Sequence, residues 1–334
     1  MSPTGSGDLL GGILRDVSRS FYLTLRALPG RVRRQIGVAY LLARTTDTIA
    51  DTEIVPVSQR LEVLRAFRER IGGATATGFG LAGLAEGQSS RGERVLIERA
   101  EDTLRVLQTF DARDRQEIVR VLEIIVSGQE EDLRRFNGAS VTDIRALESE
   151  GQLDEYTYRV AGCVGEFWTR MCRRHVFPKA AFDEEVQMER AVRFGKGLQL
   201  VNVLRDISGD LRMGRCYMPA SQLARAGLGP AALLNAGGIA GFRPVCNAWI
   251  ERAEAHLREG WHYTNALPFA CVRVRLACAW PLLIGLETLK LLRTENLLDP
   301  GRRIKVSRHA VRSIIRRTIV YYPWPGRWKK LASV

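Results

Sequence analysis

Apolar residues recur every three or four positions through most of the chain, a spacing typical of helices that bury one face. Alternating stretches rich in valine or isoleucine, which would predict strands, are nearly absent. The pattern therefore predicts an all-α protein. Its predicted helices span residues 8–27, 30–51, 57–71, 91–110, 112–135, 140–149, 151–176, 181–209, 219–226, 243–265, 270–293 and 306–320.

Stretches rich in glycine, alanine and serine interrupt this pattern and predict the longer connections. Gly72 to Gly92 is the most loop-like of them, and Gly227 to Gly241 is a second. No repeat of about 20 to 50 residues recurs, which disfavours a solenoid. We therefore predict one helical domain over residues 1–320, followed by a basic and aromatic tail over residues 321–334.

A narrow polar stripe runs along the predicted helix at residues 38–51. Its large polar side chains are Tyr40, Arg44, Asp47 and Asp51, at relative positions 0, 4, 7 and 11, which fall on one helical face. Every other position in this segment is apolar or small. An ordinary solvated face would be broader and would carry Lys and Glu, so the stripe predicts a helix buried around most of its circumference.

A second stripe of the same kind occupies residues 198–210. Gln199, Asn202, Asp206 and Asp210 lie there at relative positions 0, 3, 7 and 11 among leucine, valine and isoleucine. Each stripe thus contains an Asp-x-x-x-Asp pair on a mostly apolar helix, with an arginine nearby (Arg44 and Arg205). Two such pairs are harder to ascribe to chance spacing than one.

Carboxylates on apolar helices need positive charge nearby, because a buried ion is costly unless it is paired or bound to a metal. The two arginines supply two positive charges against four carboxylates. Oxygen ligands with open positions suit Mg²⁺, which commonly bridges one or two carboxylates to a substrate phosphate. We therefore predict a diphosphate held through Mg²⁺. The alternative is an Asp–Arg network that only fixes helix packing.

Most of the excess of basic over acidic residues lies at the end of the chain. The 334 residues are 46% hydrophobic, enough for a large core, and carry 50 Lys and Arg against 37 Asp and Glu. Residues 301–334 contribute ten of those basic residues and no acidic one, which leaves 40 against 37 in the rest. Because the body has only this small basic excess, we predict no nucleic-acid partner.

Cysteine usage, the first residues and the length of the apolar runs lead us to expect a cytoplasmic protein. The six cysteines form no CxxC pair and the four histidines are scattered, which favours buried reduced thiols over disulfides or zinc. Residues 1–8 do not resemble a secretory signal. The longest apolar run, Leu276 to Leu286, contains Pro281 and is shorter than the roughly 20 residues that span a bilayer.

Four sequence motifs, taken together, closely resemble the squalene and phytoene synthase family. They occur in the family's order and at its separations over about residues 10–320, and they are Ser18-Arg19-Ser20-Phe21, Tyr40 to Asp51, Tyr156 to Gly165, and Gln199 to Asp210 followed by Gly214 to Pro219. The resemblance implies a single-domain, all-α isoprenoid (terpenoid) synthase fold, a helical bundle whose two Asp motifs face each other across a central cavity. It also implies head-to-head condensation of two prenyl diphosphates.

The resemblance also implies roles for individual residues. Asp47, Asp51, Asp206 and Asp210 would act on the diphosphates through Mg²⁺, and Asn202 would join or support the metal cluster. Tyr156 would lie near the reacting carbons and help to handle the proton lost in coupling. The implied substrate-binding residues, besides Asn202, are Ser18, Phe21, Tyr40, Arg44, Gln199, Arg205 and Arg215.

The chemistry requires a dry apolar cavity, because a carbocation must meet the second prenyl chain before it meets water. Trp280 is the favoured cation–π contact, and Gly162 and Gly165 are expected to let helices approach closely beside Tyr156. The candidate walls are Phe21, Leu25, Val160, Val164, Leu198, Val201, Trp280, Leu283 and Ile284.

The product depends on whether the second half of the reaction is reductive. Condensation passes through a cyclopropylcarbinyl diphosphate, and squalene formation from farnesyl diphosphate with NADPH is the favoured outcome. Phytoene or dehydrosqualene, formed without reduction, and presqualene diphosphate are the alternatives. Ala50, Thr52 and Ala277 depart from residues common in squalene synthases. No GxGxxG follows a predicted strand, so the available partners for an NADPH phosphate are Arg302, Arg303, Lys305 and Arg308.

The tail mixes aromatic residues with cations, a composition suited to an anionic lipid surface. We expect either peripheral contact with the inner membrane surface or a solvated end. A different class of function is a non-catalytic helical interaction module or nucleic-acid binder, which the presence of all four aspartates disfavours.

Overall fold

The computed structural model describes residues 9–18, 21–74, 81–88 and 90–332. The polar start at residues 1–8, Arg19 and Ser20 of the first motif, residues 75–80 and 89 of the predicted loop, and the last two residues of the tail lie outside this range. The chain divides into two compact units. The N-terminal unit comprises Met1–Arg135 and Phe167–Pro178, and the C-terminal unit comprises Phe136–Glu166 and Lys179–Val334.

The N-terminal unit is built around two long helices that pack on each other, α3 and α8. Prolines precede α3 and α4, at Pro29 and Pro56, where the missing N–H costs no helical hydrogen bond. A π-helical turn over Leu9–Ile13 begins the unit. Its α-helices are α1 (Leu14–Ser18), α2 (Phe21–Ala27), α3 (Gly30–Asp51), α4 (Val57–Ile71), α5 (Leu81–Glu86), α6 (Arg91–Glu98), α7 (Ala100–Gln108) and α8 (Ala112–Arg135).

The C-terminal unit packs its two longest helices, α11 and α13, against each other, with α14 beside both. Asp183 caps α11 and Ser307 caps α15, each accepting a backbone N–H. The elements are β1 (Arg145–Ala146), α9 (Glu150–Thr157), a π-helix (Tyr158–Gly162), α10 (Cys163–His175, which continues into the N-terminal unit), α11 (Glu184–Arg212), β2 (Arg215–Cys216), α12 (Ala220–Arg225), 3₁₀ turns (Pro230–Leu234 and Ala236–Gly238), α13 (Ile239–Ala266), α14 (Val272–Thr294), α15 (Arg308–Tyr321), α16 (Pro325–Lys329) and a last 3₁₀ turn (Lys330–Ala332).

The all-α prediction is confirmed, and three predicted helices (30–51, 57–71 and 112–135) have the observed boundaries. The helix predicted at 140–149 is wrong. Ser140 accepts the backbone N–H groups of Thr142 and Asp143 in a local turn, which competes with helix formation. The backbone of Arg145 then donates to the carbonyl of Gly214, forming the short parallel β1–β2 pair.

Other predicted helices are interrupted. The predicted helix 8–27 is a π-turn followed by α1 and α2, and the predicted helix 91–110 divides at Arg99. The predicted helix 151–176 contains the π-helix, and the loop predicted from Gly72 to Gly92 contains α5. Five of the six cysteines are buried and Cys271 is partly exposed, all as free thiols.

The basic tail is folded in the part that the structure describes. α15 extends to Tyr321, and α16 follows with Trp328 only 2% exposed. Tyr322 is also buried, whereas Trp324 remains 52% exposed. Among the described residues, the structure contains no helix with the length and apolarity required to span a bilayer.

Candidate active site

The first carboxylate pair lies in the last two turns of α3. The helix is buried on most sides, as the narrow stripe predicts, with Leu41, Leu42 and Ile49 fully buried. Along the stripe, Arg44 retains 26% and Asp47 45% of their side-chain exposure, and Asp51 is exposed. The carboxylates therefore lie at an opening of an otherwise buried helix.

Two residues that sequence reasoning missed hold this first pair. The Arg44 guanidinium lies 3.8 Å from the Asp47 carboxylate and 2.5 Å from that of Glu93 on α6. Gln129, on the packing face of α8, donates from Nε2 to Asp47 Oδ1 at 2.5 Å. A signal for Gln129 was present in the sequence, since it is a polar residue at a core position of an amphipathic helix.

Two buried polar atoms beside Asp47 have no hydrogen-bond partner among the residues that the structure describes. They are the carbonyl Oε1 of Gln129 and Nε of Arg44. Buried polar atoms are nearly always satisfied, by protein, water or a bound group. Gln129 Oε1 therefore remains as an acceptor suited to the water shell of a cation, and Arg44 Nε remains as a donor suited to an anion.

The electrostatics of the first pair favour a bound cation. Partial burial and the neighbouring Asp51 raise the pKa of Asp47 to about 6, against the lowering effects of Arg44 and the Gln129 hydrogen bond. The pair also lies at the C-terminal end of α3, where the helix carries partial negative charge. A divalent cation would relieve both effects.

Two predicted substrate-binding residues, Phe21 and Tyr40, meet near the middle of α3, and a third, Ser18, lies at the end of α1. The Tyr40 hydroxyl donates to the carbonyl of Val17 at 3.5 Å, and the ring of Phe21 stacks on Tyr40 with centroids 5.1 Å apart. Ser18 is buried, and its hydroxyl donates to the Leu14 carbonyl within α1. The structure thus brings Phe21 of the first motif against Tyr40 of the first stripe.

The second carboxylate pair lies in the last two turns of α11, the same position in its helix as the first pair. Arg205 forks onto Asp206, with Nε 2.9 Å from Oδ1 and Nη2 2.5 Å from Oδ2. This hydrogen bond is the main reason that the pKa of Arg205 is raised. Asp206 is 52% exposed on its side chain and Asp210 is partly buried. Arg205 therefore neutralises the first of the two carboxylates.

A polar chain leads from the second stripe to the predicted catalytic tyrosine. Asn202 Nδ2 donates to Gln199 Oε1 at 3.3 Å, and Gln199 Nε2 donates to the Tyr156 hydroxyl at 3.4 Å. The Tyr156 ring stacks on Tyr217 at 4.7 Å, and Tyr217 packs on Phe136 at 5.4 Å. Tyr217 belongs to a motif quoted above, yet sequence reasoning assigned it no role.

Glycines set the distance between the Tyr156 segment and α11, as expected for Gly165, whereas a Cβ on Gly162 would meet only side-chain atoms, at 3.1 to 3.3 Å. A Cβ on Gly165 would lie 2.0 Å from the Ala191 carbonyl oxygen, and one on Gly195 would lie 2.2 Å from that of Ala161. Backbones at this separation admit no side chain. The contact includes the π-helix, a local irregularity often found at functional sites.

Arg215 follows α11 through a turn that requires glycine. Gly214 has φ +79° and its Cβ would lie 2.3 Å from the Ser140 nitrogen. The chain therefore turns shortly after α11 ends, and β2 places the partly buried Arg215 beside β1.

The predicted cavity walls differ in burial. Leu25, Val201 and Leu283 are buried in the cores of their own units. The remaining candidates (Phe21, Val160, Val164, Leu198, Trp280 and Ile284) are partly exposed. The Trp280 indole donates to Thr318 at 2.9 Å, which fastens α15 to α14.

The donor set fits Mg²⁺ held jointly with phosphate. Within each unit, the described residues contain no group of three His, Cys, Asp or Glu side chains arranged to hold a metal ion alone. Each pair supplies two carboxylates on one helical face, and Mg²⁺ commonly takes one or two carboxylates and completes its shell with water and substrate phosphates.

Sequence comparison finds relatives with related activities. The squalene/phytoene synthase family model matches residues 14–310. A presqualene diphosphate synthase of Rhodopseudomonas palustris is 30% identical over 76% of this chain and 77% of that protein. A 15-cis-phytoene synthase of Synechocystis is 26% identical over 75% of this chain and 66% of that protein.

Structural comparison gives the same family of folds. A TcSQS–ligand complex superposes with a TM-score of 0.76 at 24% identity, covering 94% of this chain and 86% of that one. At this identity, the likeness concerns the fold alone.

Proposed function

Because the chain belongs to the squalene/phytoene synthase family and has its all-α isoprenoid synthase fold, we propose that it condenses two farnesyl diphosphates head to head. The first product would be a cyclopropylcarbinyl diphosphate, formed with loss of one diphosphate and one proton, which would then lose its remaining diphosphate, rearrange and accept a hydride from NADPH to give squalene. One observation carries the proposal: two Asp pairs each occupy the C-terminal end of a long helix with an arginine beside them.

In this proposal the two stripes bind the diphosphates. Asp47, Asp51, Asp206 and Asp210 would hold Mg²⁺, with Asn202 in support. Bound Mg²⁺ supplies a Lewis acid that stabilises the negative charge on a departing diphosphate. Further diphosphate donors would be Ser18, Tyr40, Arg44, Gln199, Arg205 and Arg215.

Arg44 and Arg205 are suited to a change of partner. Each guanidinium now lies against a carboxylate, and its planar donors match phosphate oxygens equally well. When the carboxylates bind a cation, Arg205 becomes available for the diphosphate, whereas Arg44 keeps its contact with Glu93 and can offer the diphosphate only its remaining donors. Stabilising the leaving group in this way makes ionisation of the allylic C–O bond easier.

Tyr156 is proposed to handle the proton lost during coupling. Its hydroxyl accepts a hydrogen bond from Gln199, and its ring is fixed by stacking on Tyr217. A hydroxyl held at a fixed position can accept or relay a proton at one carbon of a bound chain. The apolar candidate walls, with Trp280 among them, would exclude water around the cation.

A second candidate is a synthase that releases the cyclopropylcarbinyl intermediate. The relative from Rhodopseudomonas palustris is named a presqualene diphosphate synthase. In addition, Arg302, one of the four residues available for an NADPH phosphate, forms an ion pair with Glu295 at 2.6 Å. This pair leaves Arg303, Lys305 and Arg308 as the candidate NADPH contacts.

The test is an anaerobic incubation of purified protein with farnesyl or geranylgeranyl diphosphate and Mg²⁺, with and without NADPH, followed by mass analysis of the lipid extract. Squalene only with NADPH supports the main proposal, and presqualene diphosphate under both conditions supports the second. A C30 or C40 triene in the presence of NADPH would refute both. Asp47→Asn and Asp206→Asn are expected to abolish turnover, whereas Asp143→Asn, on the surface, serves as the control.

A further inference from the structure

The C-terminal segment is held against α13 and α14 by a buried aromatic cluster. Trp328 stacks on Trp261 at 5.2 Å and meets Tyr322 edge-on at 5.0 Å. Its indole nitrogen donates to Asn265 at 2.9 Å, and the Trp261 indole donates to the Lys329 carbonyl at 3.2 Å. The segment therefore has a fixed position, and the residues it leaves on the surface are presented in a defined arrangement.

A buried arginine ties this cluster to the turn between α13 and α14. The Arg275 guanidinium lies 5.4 to 5.6 Å from the ring centroids of Phe269, Tyr322 and Trp328. Phe269 also stacks on Tyr322 at 4.9 Å, and the Tyr322 hydroxyl donates to the Phe269 carbonyl. The α13–α14 turn and the C-terminal segment thus form one continuous surface.

Exposed apolar residues concentrate on that surface. The described part of the chain has ten large hydrophobic residues with substantial exposure, and five of them belong to these two segments. Isolated exposed hydrophobics are ordinary, but a contiguous group marks a site of interaction. We call these five residues the apolar corner: Phe269, Val272, Ile319, Val320 and Trp324, exposed by 53, 38, 52, 49 and 52%.

The two segments that carry the apolar corner are rich in cations and contain no acidic residue. Residues 267–286 and 301–334 include no Asp or Glu. The Arg327 guanidinium lies over the Tyr321 and Trp324 rings at 5.8 and 5.9 Å. The exposed cations of these segments are Arg273, Arg302, Arg303, Lys305, Arg308, Arg312, Arg316, Arg317, Arg327, Lys329 and Lys330.

A basic pocket opens beside the apolar corner, between α14, α15 and the last 3₁₀ turn. It has a volume of about 140 Å³, and its lining includes Lys290, Arg317 and Lys330 above Leu283, Leu286 and Ile314. Glu287 is the single acidic residue of the lining, and it pairs with Lys290 at 3.6 Å. Arg317 and Val320 are three residues apart on α15, so the pocket and the apolar corner are neighbours on one helix.

We propose that this surface docks the protein on a membrane containing anionic lipids, with the apolar corner entering the headgroup region and the basic pocket taking a lipid phosphate. Interfacial aromatic and aliphatic side chains flanked by Lys and Arg are the chemistry that recognises such a surface. A nucleic acid would use the cations but would leave the apolar corner in water. The proposal extends the predicted contact of the tail to the α13–α14 turn, and it does not rest on the proposed reaction.

Sedimentation with vesicles tests the proposal on the full-length protein. Mixed phosphatidylcholine–phosphatidylglycerol vesicles are expected to bind it, and pure phosphatidylcholine vesicles to bind it much more weakly. Trp324→Glu and Val320→Glu are each expected to weaken binding to the mixed vesicles about tenfold. Arg317→Gln and Lys330→Gln are each expected to weaken it about fivefold at low salt, because each cation near an anionic surface contributes a similar increment.

A matched control is available in Val141→Glu, because Val141 is 48% exposed and lies outside the apolar corner. It is expected to bind vesicles as the unmodified protein does, and circular dichroism checks that every variant is folded. Equal loss in Val141→Glu and Val320→Glu would overturn the proposal. Binding of duplex DNA that is unaffected by Trp324→Glu, with no vesicle binding, would also overturn it. So would thermal protection by inorganic phosphate without vesicle binding.

Discussion

Two glycines on α11 are predicted to respond oppositely to the same substitution. Gly195 faces the backbone of the π-helix, where a new Cβ would lie 2.2 Å from the Ala161 carbonyl oxygen and 2.9 Å from the Gly162 Cα. Gly209 faces solvent, with no atom within 4 Å of its Cβ position. We therefore expect Gly195→Ala to destabilise the protein and Gly209→Ala to stabilise it.

The magnitudes follow from the geometry. An ordinary carbon–oxygen contact is about 3.3 Å, so the two backbones at Gly195 must separate by about 1 Å. Overpacking of this kind costs about 1–3 kcal/mol, and rigid backbone atoms favour the upper end of that range. Alanine regains about 1 kcal/mol of helix propensity, which leaves a net loss of about 2 kcal/mol. At Gly209 only the gain remains, about 0.5–1 kcal/mol.

Urea unfolding followed by circular dichroism measures both effects on one helix. Gly195→Ala should also lower turnover, because the contact positions Tyr156 relative to Gln199. Similar stability changes in the two variants, or a stabilised Gly195→Ala, would refute the interpretation that close backbone packing sets the position of the Tyr156 segment.

Three further predictions concern the first carboxylate pair and the tail. The pKa of Asp47 is raised in the folded protein, so the folded state binds the Asp47 proton more tightly than the unfolded state does. Ionisation of Asp47 therefore lowers the free energy of unfolding as pH rises from about 4 through 6. Asp47→Asn should therefore raise the free energy of unfolding at pH 8 without divalent ions but not at pH 4, relative to Asp143→Asn; an equal effect at both pH values would contradict this. Gln129→Leu removes a hydrogen bond that favours ionised Asp47, so the Mg²⁺ concentration for half-maximal activity should rise several-fold, with Gln108→Leu unchanged. Trp328→Ala should cost about 3–5 kcal/mol of stability and Trp324→Ala less than about 0.5 kcal/mol, as measured by urea unfolding; equal losses would argue against a folded tail.

Much of the local geometry of the candidate site was predictable because each stripe is local in sequence. Each stripe is defined by one helix, and the 3.6-residue period alone places its polar side chains on one face. The partners of the stripes were not predictable in this way. Glu93 and Gln129 reach Arg44 and Asp47 from helices 49 and 82 residues away, and such contacts depend on tertiary packing.

The fold predictions failed where local side chains compete with the helical backbone. Residues 140–149 have some helical periodicity, but Ser140 satisfies nearby N–H groups itself. The tail presented a different difficulty. Its composition suits a lipid surface, yet Tyr322 and Trp328 face inward, and which aromatic residues stay exposed depends on their contacts with α13 and α14.

The placement of both Asp pairs at helix C-termini bears on why they are present at all. Carboxylates there face the partial negative charge of the helix end and repel each other across one turn. Both effects lower the stability of the folded protein. Arg44 and Arg205, which contact Asp47 and Asp206, offset part of this cost. If the Asp–Arg networks served only helix packing, neutral residues at these positions would make the protein more stable. Pairs of carboxylates at the negative ends of two helices are therefore better explained by a cationic ligand than by stability, and the expected gain in stability of Asp47→Asn tests this distinction.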